Sequence, residues 1–111
     1  MNATSGVTDL SLKIKNGIIN ADNISVPHGF TTRIGGVSEG IFSSMNIALH
    51  RGDSAENVAK NYEILAERVG FDLKNLVLTR QTHSDIVRVV TKNDAVGIDH
   101  RNYPECDALI T

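Results

Sequence analysis

Asp53-Ser54-Ala55-Glu56-Asn57-Val58-Ala59-Lys60-Asn61-Tyr62-Glu63-Ile64-Leu65-Ala66-Glu67-Arg68-Val69-Gly70-Phe71 is the one long helical pattern in the chain, and the segments on either side read as strand or turn. Val58, Tyr62, Leu65 and Val69 recur at helical spacing and form an apolar stripe, while Lys60, Glu63, Glu67 and Arg68 take the wetter positions. Asp53 is the expected N-cap, and Glu56 three residues on makes a carboxylate version of the capping box. Gly70 suits the left-handed residue that ends a helix, with Phe71 folding back onto the last turn.

Before the helix, Leu10, Leu12 and Ile14 alternate with Ser11 and Lys13, the period of a half-buried strand. Asn16-Gly17 supplies the two positive-φ positions of a type I′ turn, and Ile18-Ile19 begins the return strand of a hairpin. His28 to Arg33 is short and β-prone and leads into a glycine-punctuated loop, Gly35-Gly36-Val37-Ser38-Glu39-Gly40. A further strand is expected from Asn46 to Leu49, closed by Arg51-Gly52-Asp53. After the helix, Leu76-Val77-Leu78 and Ile86 to Val90 read as strands separated by residues 79–85, with turn signals at Asn93-Asp94 and Gly97. Ala108-Leu109-Ile110-Thr111 reads as another strand, and ending there is the expected mark of a truncated unit. Residues 1–9 are small and polar and are expected to be a flexible N-terminus.

The composition is ordinary for a folded domain of 111 residues, with 41% hydrophobic and 22% charged residues. Trp is absent and aromatics are sparse, so the core must rest on Ile, Val and Leu. A net charge of -2 with scattered cations excludes the basic face that nucleic acid needs. No apolar run approaches the ~20 residues of a membrane span, and Met1 to Asp9 lacks the features of a secretory signal. With a single cysteine, Cys106, these features point to a reducing, cytoplasmic setting.

Few residues invite chemistry. Gln81-Thr82-His83 lies between two expected strands, where a neutral imidazole can bind zinc or act as a base. Read alone, one histidine there is more often a surface or structural residue, and no second His or Cys lies three to five residues away. The segment from Arg33 to Gly40 offers backbone N–H groups and a guanidinium, the materials of an anion site, although read by itself it is better explained as a plain connecting loop whose glycines satisfy turn geometry. His28, His50 and His100 need no function. Cys106, between Glu105 and Asp107, reads as structural, because two carboxylates disfavour a thiolate.

Taken in order, these segments resemble one family. His28-Gly29-Phe30-Thr31-Thr32-Arg33-Ile34-Gly35-Gly36-Val37-Ser38 resembles the opening signature of the laccase-domain, or YfiH-like, family. Ser44-Met45-Asn46-Ile47, His50-Arg51-Gly52-Asp53, Gln81-Thr82-His83 and Asp107-Ala108-Leu109-Ile110-Thr111 are similar to its following blocks, with Val58 and Asn61 at its helical Val and Asn positions.

The resemblance implies a layered α/β (α+β) mixed-sheet domain of the YfiH type, of which residues 10–111 would be the N-terminal part. It implies a zinc-dependent purine nucleoside phosphorylase with adenosine deaminase activity, acting on purine nucleosides and phosphate. His83 would be the first of three zinc ligands. Arg33, Asn46 and Gln81 would be binding or orienting groups. The family's other two ligands lie in downstream motifs that this chain does not contain, so it is expected to be inactive alone. The alternatives are a copper-dependent polyphenol oxidase, which needs many more His and Cys ligands, or a non-catalytic remnant or interaction module. Self-association through exposed strand edges is a further expectation.

Overall fold

The computed structural model describes residues 12–95, 97–98 and 104–111. The expected flexible N-terminus, Leu10 of the hairpin and His100 lie outside the described residues. The chain forms two compact units, Met1–Phe71 and Asp72–Thr111. The architecture is mixed α/β, with an antiparallel sheet in the first unit and a parallel pair in the second.

In the first unit, β1 (Leu12–Lys15) and β2 (Ile18–Ala21) form the expected hairpin, with Lys15 opposite Ile18. Asn16 and Gly17 take φ of 53° and 79°, as the type I′ turn requires. The segment after His28 contributes only β3 (Phe30–Thr31), antiparallel to β2. Paired residues share a face, so Leu12, Ile14, Ile19, Ala21 and Phe30 lie together on one side of this sheet. On that side Leu12, Ile14 and Phe30 are 66%, 71% and 65% exposed. The expected half-buried β1 is therefore exposed throughout, because the sheet's buried contact is made from its other face by Ile18. Ile18 lies beside Gly29, whose Hα side also faces Val69 at the end of the helix.

That helix, α1 (Ala55–Val69), buries Val58, Asn61, Tyr62, Leu65 and Ala66, so the apolar stripe falls where its spacing places it. Its N-cap is Ser54 rather than Asp53; the Ser54 hydroxyl accepts from Asn57 N at 3.0 Å. Asp53 is directed instead toward Ser38 and Asn46. At the other end Gly70 adopts φ 97°, and the N–H groups of Gly70 and Phe71 both donate to the Ala66 carbonyl. Arg68 reaches from the last turn to the carbonyls of Asn16 and Gly35, tying the hairpin turn to the helix. The strand expected from Asn46 to Leu49 does not form. The carbonyls of Asn46 and Ile47 accept instead from the side chains of Asn61 and Tyr62, which replace a ladder.

In the second unit a 3-10 turn, Leu73–Asn75, is capped by Asp72. Residues 76–78 join no ladder among the described residues; the Leu76 carbonyl accepts from Gly97 N, and only Arg80 forms a bridge, to Glu105. The next expected strand is realised as β4 (Val87–Val89), parallel to β5 (Ala108–Ile110). The Asn93-Asp94 signal becomes a 3-10 turn, Lys92–Asp94, closed by a full capping box from Thr91. Val90 and Cys106 are buried in this unit, whereas Val87, Val89 and Ile110 are exposed.

Candidate functional site

Arg33 and Asn46 are brought together in the first unit. The Arg33 carbonyl accepts from Ser44 N at 2.6 Å, Met45 N at 2.9 Å and Ser44 Oγ at 2.8 Å, which folds residues 33–45 into a closed loop. Within it Ser38 N donates to the Ser44 carbonyl and Gly36 N to Ser44 Oγ. Asn61, fully buried on α1, clamps the loop from below. Its Oδ1 accepts from Val37 N at 2.8 Å, and its Nδ2 donates to Ser38 Oγ at 2.9 Å and to the Asn46 carbonyl at 2.8 Å. This close approach is what requires glycine at position 36. A Cβ there would stand 2.3 Å from the Ser44 carbonyl oxygen and 2.5 Å from Asn61 Oδ1.

Asp53 completes the network. It accepts from Ser38 Oγ, from Asn46 Nδ2 at 3.1 Å and from Ser54 N at 2.8 Å. These bonds, led by that from Ser38, hold its carboxyl below the ordinary value of 3.8. The Asn46 side chain is thereby engaged at both ends, its Oδ1 accepting from Ala48 N. Arg33 is exposed and donates from Nε to the Ser43 carbonyl at 3.3 Å. Its terminal nitrogens have no partner among the described residues. The guanidinium opens on a depression of about 460 Å³ lined by Arg33, Ile41, Phe42, Ser43, Met45 and Asn46.

Four N–H groups of the glycine loop are committed within the chain. The N–H groups of Ile34, Gly36, Val37 and Ser38 donate to Thr32, Ser44 and Asn61, so they do not face an incoming anion.

Gln81 and His83 belong to the second unit, and both are exposed. Asp107, just before β5, holds the turn that carries His83. Its Oδ1 accepts from Thr82 N at 3.2 Å, Ser84 N at 2.9 Å and Ser84 Oγ at 2.6 Å, and its Oδ2 from His83 N at 3.0 Å. Four donors, led by the Ser84 hydroxyl, lower this carboxyl to about 2. His83 adopts φ 62°, and neither ring nitrogen has a hydrogen bond among the described residues. His28 offers a contrast. Its Nε2 accepts from Ala21 N at 2.9 Å and its Nδ1 meets the Val26 carbonyl at 2.7 Å, a structural role that uses both nitrogens.

Sequence reading picked out Asn61, Asp53 and Asp107 within the family's blocks but missed their organising roles. For Asn61 a signal was present, since an amide at position 61 falls inside the stripe of Val58, Tyr62 and Leu65. A polar residue in a buried stripe must be bonded.

Three protein donors are the minimum for a catalytic zinc centre. Among the described residues no three His, Cys, Asp or Glu side chains gather to hold a metal. The accessible imidazole of His83 suits one ligand position, and the described residues by themselves do not make a metal site.

The sequence and the mixed α/β architecture of the chain are similar to those of known proteins. The family model described as multi-copper polyphenol oxidoreductase laccase covers residues 27–111. The chain belongs to this laccase-domain family. It is 43% identical over 75 residues to the purine nucleoside phosphorylase YlmD of Bacillus subtilis strain 168, covering 68% of this chain and 27% of the relative. It is 37% identical over 97 residues to a purine nucleoside phosphorylase of Deinococcus radiodurans, covering 85% and 34%. The solved structure of YlmD from Geobacillus stearothermophilus is similar with a TM-score of 0.66 and 34% identity, over 75% of this chain and 32% of that one. That of the Bacillus licheniformis hypothetical protein YfiH gives a TM-score of 0.71 and 32% identity, over 76% and 32%. The chain therefore spans about a quarter to a third of the length of these relatives.

Proposed function

We propose that this chain supplies the N-terminal share of a zinc-dependent purine nucleoside phosphorylase that also deaminates adenosine, and that the 111 residues alone turn over little. The observation that carries this reading is His83. It stands exposed on an anchored turn, and neither ring nitrogen is engaged among the described residues, as suits a residue awaiting a ligand. The names of the relatives support phosphorolysis. Zinc, coordinated by His83 and by side chains beyond this chain, would supply a Lewis acid and an activated water. Arg33 would bind phosphate through its terminal nitrogens, and Gln81 would contact the nucleoside. Asn46 would act by fixing the loop, since its amide is committed to Asp53 and Ala48.

The setting is proposed to be cytoplasmic; no helix among the described residues is long and apolar enough to cross a membrane. The copper oxidase reading rests on the family description alone. Self-association is proposed through β1, whose outer face exposes Leu12 and Ile14.

The test joins this chain to the downstream portion of the Bacillus subtilis relative and measures hypoxanthine release from inosine with phosphate, and ammonia release from adenosine. The expected outcome is turnover that disappears in His83→Ala and in zinc-free protein. Phenol oxidation with added copper, without nucleoside turnover, would overturn the proposal.

A further inference from the structure

We propose that Asp107 is the positioning residue of His83, fixing its backbone through one carboxylate oxygen while the other secures the residues on either side. Only the purpose of this positioning rests on the reading of His83 as a metal ligand; the geometry stands apart from it. Three successive N–H groups, those of Thr82, His83 and Ser84, converge on the carboxylate. Such a concavity of consecutive amides ordinarily captures a free anion. Here the anion is built in, and it is itself fixed, because Asp107 N donates to the Ile86 carbonyl at 3.0 Å and β5 begins at the next residue.

The turn holds His83 at φ 62°, a left-handed conformation that a residue with a Cβ adopts reluctantly. The bond from His83 N to Oδ2 holds the residue in that conformation and uses the backbone alone, the imidazole having no hydrogen bond among the described residues. Thr82 and Ser84 use the other oxygen, Oδ1. The two oxygens thus have separable duties, and an amide in place of the carboxylate distinguishes them. In Asp107→Asn the retained carbonyl oxygen can still accept from Thr82 and Ser84, whereas the NH₂ group facing His83 N cannot accept at all.

The experiment is amide hydrogen exchange by NMR on the full chain, with zinc content measured in parallel on the protein joined to the downstream portion of the Bacillus subtilis relative, with and without His83→Ala. Asp107→Asn is expected to speed exchange of the His83 amide on the order of tenfold or more, as loss of a bond to a charged acceptor implies. The amides of Thr82, Ser84 and β4 should stay close to their original rates, and ordering of the His83 ring should fall. Ser84→Ala should leave the His83 amide protected. Asp107→Ala should release all three amides, and if that variant fails to fold, the Asn variant still decides.

An unchanged His83 amide in Asp107→Asn would overturn the inference. So would equal loss of protection at positions 82–84 and across β4, which would make Asp107 a residue of general stability. If the selective release occurs but His83→Ala leaves the zinc content of the joined protein unchanged, the positioning stands and the metal reading fails.

Discussion

Both units hold a candidate residue by gathering loop donors onto an aspartate, but they do so at different depths. In the first, Asp53 works with Asn61, which has no exposed surface and sits in the apolar stripe of α1. In the second, Asp107 is half-buried and holds an exposed turn. The Arg33 loop is consequently part of a core, and its geometry is lost only with that core. The His83 turn is a local device resting on two short parallel strands. Buried polar groups must be fully bonded or they cost heavily, so the first arrangement is rigid and intolerant, and the second can be altered without unfolding its surroundings.

The most severe way to break this contrast is Asn61→Ala. It removes three hydrogen bonds and leaves Val37 N and the Asn46 carbonyl without their partners. A loss of about 3 kcal/mol or more is expected for the first unit, read as a lower midpoint in urea. A change under about 1 kcal/mol would mean that the loop is not held from the core. Gly36→Ala should follow at about 2 kcal/mol, because the added methyl meets backbone at Ser44 rather than a flexible side chain. Relief of that cost by a smaller residue at position 44 would show the strain to be local.

Acid sharpens the comparison. Asp53 and Asp107 both have carboxyl pKa values below the ordinary 3.8 in the folded chain, that of Asp107 at about 2. The folded state therefore favours the ionised forms. Their contribution is complete above the unfolded value and is lost as pH falls through the folded one. Stability should decline from about pH 4 downward, with the part due to Asp107 gone only below about pH 2. Amides 82–84 should lose protection over the same interval, following Asp107 alone. A His83 turn that stayed protected below that interval would show that something other than the carboxylate holds it.

The elements readable from sequence were those whose signals are local. Asn16-Gly17 dictates its own turn, the stripe from Val58 to Leu65 its own helix, and Gly70 its own cap. Misreadings arose where a distant side chain took over backbone groups. Asp53 is drawn away from the cap by Ser38 and Asn46, and residues 46–47 give their carbonyls to Asn61 and Tyr62 instead of to a strand. The glycine loop was legible as a tight loop, but its N–H groups turn inward for the same reason. At the candidate site, His83 stood out through its motif and Arg33 through its loop. The anchoring role of Asp107 joins residues 24 positions apart in sequence, which no spacing rule reveals.

The smallest expected effect on stability tests the outer face of the hairpin. Ile14 pairs with Ile19 on the side that also carries Leu12, Ala21 and Phe30, and it is 71% exposed. An exposed position on an edge strand contributes little to its own unit, and Ile14→Thr keeps the β-branched shape that a strand favours. Stability should therefore change by less than about 0.5 kcal/mol. The same replacement removes apolar surface from an edge open to pairing, so any self-association detected by sedimentation should weaken, and Leu12→Thr with Ile14→Thr should weaken it further. A large loss of stability from Ile14→Thr would place this face against something within the chain. Unchanged association would move the contact to the other apolar edge, where Val87, Val89 and Ile110 lie exposed on the parallel pair, a pairing that is ordinarily covered on both faces.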